Sequence, residues 1–150
     1  MEIYRVAFLG HRYLSASDAM AIEKQIERMA RDLLLQKEYV EFYVGRNGEF
    51  DILAASVIKR LQNSVGDHNS SLILVLPYPV KDLEYYQAYY NEVIFPLDPH
   101  THFKAAITKR NQWMIENCNL LIAFVQENKG NSYKGLQYAK KMEIRVIRLG

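Results

Sequence analysis

The chain has 150 residues, 49% hydrophobic and 24% charged, which suits one soluble globular domain with a single sizeable core. Its 19 basic and 17 acidic side chains leave a formal net charge of +2, and this near balance argues against a nucleic-acid partner, which usually meets a strongly basic face. One cysteine, Cys118, excludes an internal disulfide framework; no stretch approaches the ~18 apolar residues of a membrane span, and the first ten residues lack the features of a signal peptide, so the cytosol is the expected compartment.

In chain order, Ile3 to Leu9 is a short apolar run ending at Gly10 and is expected to be a buried strand. Ser15 or Ser17 offers an N-cap to a helix whose apolar face is Ile22, Ile26, Met29, Ala30, Leu33 and Leu34. Val40 to Val44 predicts a second strand, stopped by Gly45. After the turn Arg46-Asn47-Gly48, the stripe Phe50, Leu53, Ala54, Val57, Ile58 and Leu61 predicts a second helix. Leu72 to Leu76 predicts a third strand, closed by Pro77.

Residues 78–102 hold three prolines and many tyrosines. They predict a short helix near 82–90, a brief extended piece at 93–95 and irregular chain, either as a functional lid or as an aromatic cover on the sheet. A helix is expected over about 103–117, from Phe103, Ala106, Ile107, Met114 and Ile115. Leu120 to Val125 predicts another strand. The turn 128–132, a helix to about Met142 and a last strand from Ile144 to Leu149 complete the chain. Strands alternate with helices, and the strands are continuous apolar runs. The expected fold class is therefore α/β, one Rossmann-like three-layer sandwich over residues 1–150 with a mostly parallel sheet. Such sheets bind ligands beyond the carboxyl ends of their strands.

Three strand-to-helix loops carry residues suited to phosphate: Gly10-His11-Arg12, Gly45-Arg46-Asn47-Gly48 leading to Glu49 and Asp51, and Gly130-Asn131-Ser132. Helix amino ends present unpaired amides and a positive dipole end, and glycine lets backbone approach a ligand. The competing reading is that any tight turn between strand and helix favours glycine and asparagine. Arg110 and Asn111 lie within an apolar-striped helix. Arg110 either grips an anion with its planar fork or forms a structural ion pair. Asp51 serves either as a dipole-stabilised carboxylate or as a ribose acceptor or general base. His11 is a candidate phosphate contact or acid–base group. Trp113 reads as core.

The four histidines are dispersed, so no metal site is expected, and no cofactor is called for. There is no nucleophile elbow, no P-loop and no dinucleotide glycine fingerprint.

The segments Phe8-Leu9-Gly10-His11-Arg12, Phe42-Tyr43-Val44-Gly45 with Gly48 and Phe50-Asp51, Tyr90-Asn91-Glu92-Val93-Ile94-Phe95-Pro96, and Arg110-Asn111-Gln112-Trp113-Met114-Ile115 occur in an order that resembles the SLOG superfamily. That superfamily joins the Smf/DprA DNA-processing proteins with the "lonely guy" cytokinin-activating enzymes. The nearest resemblance is to its stand-alone YpsA-related group of unknown function. The resemblance implies a Rossmann-like fold, a nucleotide-related ligand and a tendency to dimerise. The chain departs from the phosphorylase-like enzymes at Gly130-Asn131-Ser132, where they carry a double glycine and a downstream glutamate. It also has Cys118-Asn119 where Ser-Asp is usual.

The leading expectation is a domain that binds or senses a nucleotide or nucleotide-derived signal. Arg12, Arg46 and Arg110 would meet phosphate, the 45–48 and 130–132 amides would cradle it, and Asp51 and Asn111 would hold ribose or base. The rival is an enzyme cleaving an N-glycosidic bond, with Asp51, Glu49 or Glu92 as the carboxylate beside the anomeric carbon. A single-strand DNA binder is the third class, against which the near-neutral charge argues.

Overall fold

The computed structural model describes residues 1–150. The apolar runs become strands β1 (Ile3–Gly10), β2 (Tyr39–Val44), β3 (Ser70–Val75), β5 (Leu120–Phe124) and β6 (Arg145–Arg148), and the brief extended piece becomes β4 (Glu92–Ile94). They form one sheet in the order β4-β3-β2-β1-β5-β6, with every pairing parallel. The helices are α1 (Ala16–Gln36), α2 (Glu49–Val65), α3 (Leu83–Tyr89), α4 (Phe103–Glu116) and α5 (Asn131–Lys141). Of the two candidate caps of α1, Ser15 is the cap, its side chain accepting the Asp18 amide at 3.1 Å.

The central strands are buried on both faces because helices cover both. Along β1, Val6 and Phe8 point into a core shared with Ile22 and Ile26 of α1 and Phe50, Ala54, Val57 and Ile58 of α2. Ala7 and Leu9 point the other way, toward Met114 and Ile115 of α4 and Leu136 and Ala139 of α5. The strand period of two thus divides one run between two layers. Each large apolar side chain fully buried here contributes roughly 1.5–3 kcal/mol. No helix is long and apolar enough to cross a membrane.

β4 is a short edge strand held by side chains as well as by its ladder. Asn91 Oδ1 accepts the Leu72 amide at 2.7 Å and Gln62 Nε2 at 2.9 Å. Of the two roles open to residues 78–102, the structure shows the cover. Tyr90 is buried and Tyr86 packs beside it on the core, while Arg46 stacks over the Tyr86 ring at 4.9 Å.

β1 is the point where the sheet changes direction. Its successor in the chain, β2, lies on one side, and β5 lies on the other. α1 leaves β1 toward one face and α5 leaves β5 toward the opposite face. A crevice opens where the two connections part, as expected at such a switch point.

Candidate functional site

A cavity of about 550 Å³ occupies this crevice, within the range of roughly 300–1,000 Å³ usual for small-molecule sites. Its lining draws on Gly10, His11 and Arg12 after β1, Asn47 and Asp51 at the start of α2, Arg110 and Asn111 of α4, and Gly130, Asn131 and Ser132 at the start of α5. These sequence-derived candidates come together although they span most of the chain. Gly45, Arg46, Gly48, Glu49 and Glu92 do not line it, nor does any residue from 78 to 102.

The glycines show why. A Cβ on Gly10 would stand 2.2 Å from Cγ of Phe50, and one on Gly45 would stand 2.9 Å from Nη1 of Arg110. One on Gly48 would stand 2.6 Å from Cα of Arg12. Each of these three glycines makes room for one of the protein's own groups. Gly130 differs: its φ is +90° and a Cβ there would meet nothing within 4 Å. It alone pairs a left-handed backbone with open space at the cavity.

The remaining candidates outside the lining are also engaged elsewhere. Arg46 lies on Tyr86 and donates to Tyr90 Oη at 3.5 Å, so an aromatic pair holds the guanidinium away from the site. Glu49 accepts the Leu14 amide at 2.6 Å, while its own amide donates to Arg12 O at 2.9 Å. It fastens the loop after β1 to the start of α2. Glu92 opens β4 at the sheet's edge, paired with Ile73 rather than at a carboxyl end. Of the three candidate carboxylates, only Asp51 faces the cavity.

Arg110 is 2% exposed, and each of its three nitrogens donates to a neutral acceptor. Nε donates to Asn111 Oδ1 at 2.9 Å, Nη1 to Val75 O at 2.9 Å, and Nη2 to Asn47 Oδ1. No carboxylate lies within ion-pair distance of it. Neither sequence-level reading therefore holds in full, since Arg110 is not an ion-pair residue and three of its five N–H groups are already used. Its charge still stands in a desolvated wall of the cavity, where an unpaired cation is costly and an anion nearby is favoured.

Asp51 is buried beneath the same cavity, and its carboxylate accepts the Asn47 amide at 3.1 Å. Burial raises its pKa from 3.8 to about 6, against the opposing pull of that amide and of the Arg110 charge. It is the one group in the site with a strongly displaced proton affinity, a property that marks functional carboxylates and also structural ones.

His11 accepts the amides of Gln126 and Glu127 at its Nε2, at 2.6 and 3.1 Å, and its Nδ1 lies 3.3 Å from Ser132 Oγ. The ring of this candidate phosphate contact or acid–base group faces the loop after β5. Gly130 caps α5 with no side-chain bond. The first-turn amides of that helix lack intrahelical partners and carry the positive end of its dipole.

The lining also includes Tyr13, Asp18, Ile107, Gln126, Glu127 and Lys129, which sequence reasoning did not select. Glu127 and Lys129 could have been found, since they directly precede the Gly130 turn. Tyr13 and Asp18 carry no local signal of their placement. The charged groups of the cavity are Arg12, Arg110 and Lys129 against Asp18, Asp51 and Glu127. Trp113, expected in the core, is half-buried at its margin and packs on Tyr43 with ring centroids 5.4 Å apart.

No family model matches the sequence, and no curated protein matches it. Solved structures do match in fold, among them two DNA processing proteins. DNA processing protein A from Helicobacter pylori, described for a single-stranded DNA binding mode, superposes with a TM-score of 0.65 at 15% identity, covering 97% of this chain and 64% of that one. DprA from Streptococcus pneumoniae superposes with a TM-score of 0.57 at 17% identity, covering 97% of this chain and 58% of that one. This chain thus spans less than two thirds of either protein. The matches agree with the Rossmann-like fold that the motifs imply. They also overturn the argument from near-neutral charge against nucleic acid, because a neighbour in fold binds single-stranded DNA. Net charge does not report how cations are distributed over a surface. The chain has the Rossmann-like fold of DNA processing protein A.

Proposed function

We propose that the cavity binds a nucleotide or nucleotide-derived ligand through its phosphate. The observation that carries this reading is the uncapped amino end of α5 at Gly130, open to the cavity and flanked by Arg12 and Lys129. Free amides, a dipole end and two flexible cations suit a phosphate. The buried wall of Asp51, Arg110 and Asn111 suits the polar edge of a sugar or base. Within the superfamily, the motif order supports the stand-alone YpsA-related group.

Calorimetric titration with a nucleoside monophosphate panel tests the reading. Arg12→Ala and Lys129→Ala should each weaken binding, at roughly 1.5–3 kcal/mol for a charged hydrogen bond, or about ten- to hundredfold. Absence of binding to every nucleotide would defeat the reading.

The Helicobacter pylori neighbour supports a second reading, in which the nucleotide unit belongs to a single DNA strand. An oligothymidylate titrated beside the mononucleotides separates the two. A strand that spans several phosphates should bind more tightly and lose affinity steeply between about 50 and about 200 mM salt. Asp51 adds a catalytic variant of the first reading, and release of free base from the same panel would reveal it.

A further inference from the structure

An amide N–H can only donate, and two of them, from Gln126 and Glu127, point at one atom of His11, Nε2. That nitrogen must therefore present its lone pair, so the ring proton sits on Nδ1 and is donated to Ser132 Oγ. The ring is also held by its own backbone, His11 N donating to Phe124 O at 3.2 Å, and by the Phe124 ring, edge-on with centroids 5.7 Å apart. One neutral imidazole thus joins the end of β1, the loop after β5 and the first turn of α5.

We propose that His11 is a proton-sensitive positioning residue. In its neutral form it holds the 126–132 loop, and with it the amino end of α5, in the ligand-accepting position. In its doubly protonated form it releases them. Protonation places an N–H at Nε2, facing two other N–H donors, one only 2.6 Å away. No rotation of the ring about its own axis resolves this, because both ring nitrogens then donate. The loop amides must withdraw.

The charged groups that line the cavity together with His11 are Arg12 on its own loop, Asp18 of α1, Asp51 of α2, Arg110 of α4, and Glu127 and Lys129 of the loop after β5. They are balanced in sign, which leaves the donor–donor clash as the dominant local effect of the added proton. The inference concerns regulation of the proposed phosphate site and rests on that reading for its ligand arm. The loop arm stands without it.

The sign of the pH dependence separates this role from direct contact. A histidine that touches phosphate binds it better when protonated. A histidine that must remain neutral to hold the loop binds phosphate worse. His11→Gln keeps an acceptor near the Nε2 position and cannot titrate, whereas His11→Ala has no acceptor.

Two measurements test the proposal on the folded chain. Amide hydrogen exchange at Gln126 and Glu127, corrected for intrinsic pH dependence, should lose protection in the wild type as the His11 ring titrates, followed by its Cε1 proton resonance. Protection should stay constant in His11→Gln and be absent in His11→Ala at every pH. Calorimetry with the tightest nucleoside monophosphate should show affinity falling over the same titration in the wild type. An Asp51→Asn background removes the neighbouring carboxylate from the profile. His11→Gln should bind within about threefold of wild type at the alkaline end, and His11→Ala about tenfold or more weakly. Protection unchanged in His11→Ala, or wild-type affinity rising on acidification while His11→Gln stays flat, would overturn the proposal. If no nucleotide binds the wild type, the phosphate reading fails alone, and the exchange data still decide the role of His11.

Discussion

Gly45 lies directly beneath the guanidinium of Arg110, so closely that a methyl group on it would stand 2.9 Å from Nη1 and 3.0 Å from Cζ. The two residues occupy one space, and the absence of a side chain at 45 is what lets Arg110 reach Val75 O. Gly45→Ala should push the guanidinium off its acceptors and lower stability by about 1–3 kcal/mol, the usual effect of overpacking. Arg110→Ala should cost more, since it leaves a cavity and strips Val75 O, Asn47 Oδ1 and Asn111 Oδ1 of a donor. Thermal melts of both single variants and the double variant check the coupling. The double variant should be more stable than the sum of the separate losses implies. Full additivity would show that the contact is not shared.

Asp51 gives a pH-dependent prediction whose sign is fixed by its raised proton affinity. The folded chain keeps a proton to about pH 6 that the unfolded chain releases near 3.8. Between these values the folded state binds more protons, so stability falls as pH rises through the interval and stays reduced above it. At about 1.4 kcal/mol per unit, the reduction is on the order of 2–3 kcal/mol at neutral pH. Asp51→Asn removes the charge and should raise the melting temperature near pH 7. The gain should shrink to nothing below about pH 4. A gain independent of pH would contradict burial as its cause.

Gly48 and Glu49 are expected to act through the loop after β1. Gly48→Ala places a methyl group 2.6 Å from Cα of Arg12, against backbone that has no rotamer to yield. It should destabilise by about 1–3 kcal/mol and displace Arg12. Glu49→Ala loses the bond to the Leu14 amide and should cost about 0.5–1.5 kcal/mol. Amide chemical shifts of residues 11–14 report both changes. Shifts confined to α2 would show that the loop does not depend on these contacts.

Cys118 should be inert in the native protein. Burial pushes its thiol up to about 11, so almost none is thiolate near neutral pH. Iodoacetamide at about pH 8 should alkylate it only after denaturation. Rapid labelling of the folded chain, followed by mass spectrometry, would contradict this placement.

The layers of the fold were legible because β1, β2, β3 and β5 are mainly apolar runs, interrupted only by Arg5, Glu41 and the serines that open β3, and because α1 and α2 carry complete apolar stripes. Their order in the sheet was not legible. Which strand lies beside β1 depends on how helices pack across both faces, and a local pattern does not record that. At the site, Gly45 and Gly48 read as part of a phosphate cradle and Gly10 as a ligand-binding residue because glycine serves any close approach. Only the folded chain shows that the approaching groups are Phe50, Arg110 and Arg12. Arg46 was misplaced for a similar reason, since Tyr86 and Tyr90 compete for it from a distant segment. His11 was selected for its chemistry, but its acceptor role depends on amides of the 126–127 loop that the sequence does not place beside it. Asp51, Arg110, Asn111 and Gly130 converged as expected because each follows, or packs beyond, the carboxyl end of a strand.

The parting of the connections after β1 and β5 has a consequence for how this molecule can change over evolutionary time. The hollow is produced by chain routing, so it exists whatever side chains decorate its rim. Arg12, Lys129 and Asn131 are exposed and carry none of the core. Substitutions there would alter which ligand the proposed site accepts without renegotiating the sheet. The inherited scaffold supplies the vacancy, and a few rim residues supply the vocabulary, so ligand preference can diverge while the architecture stays nearly constant.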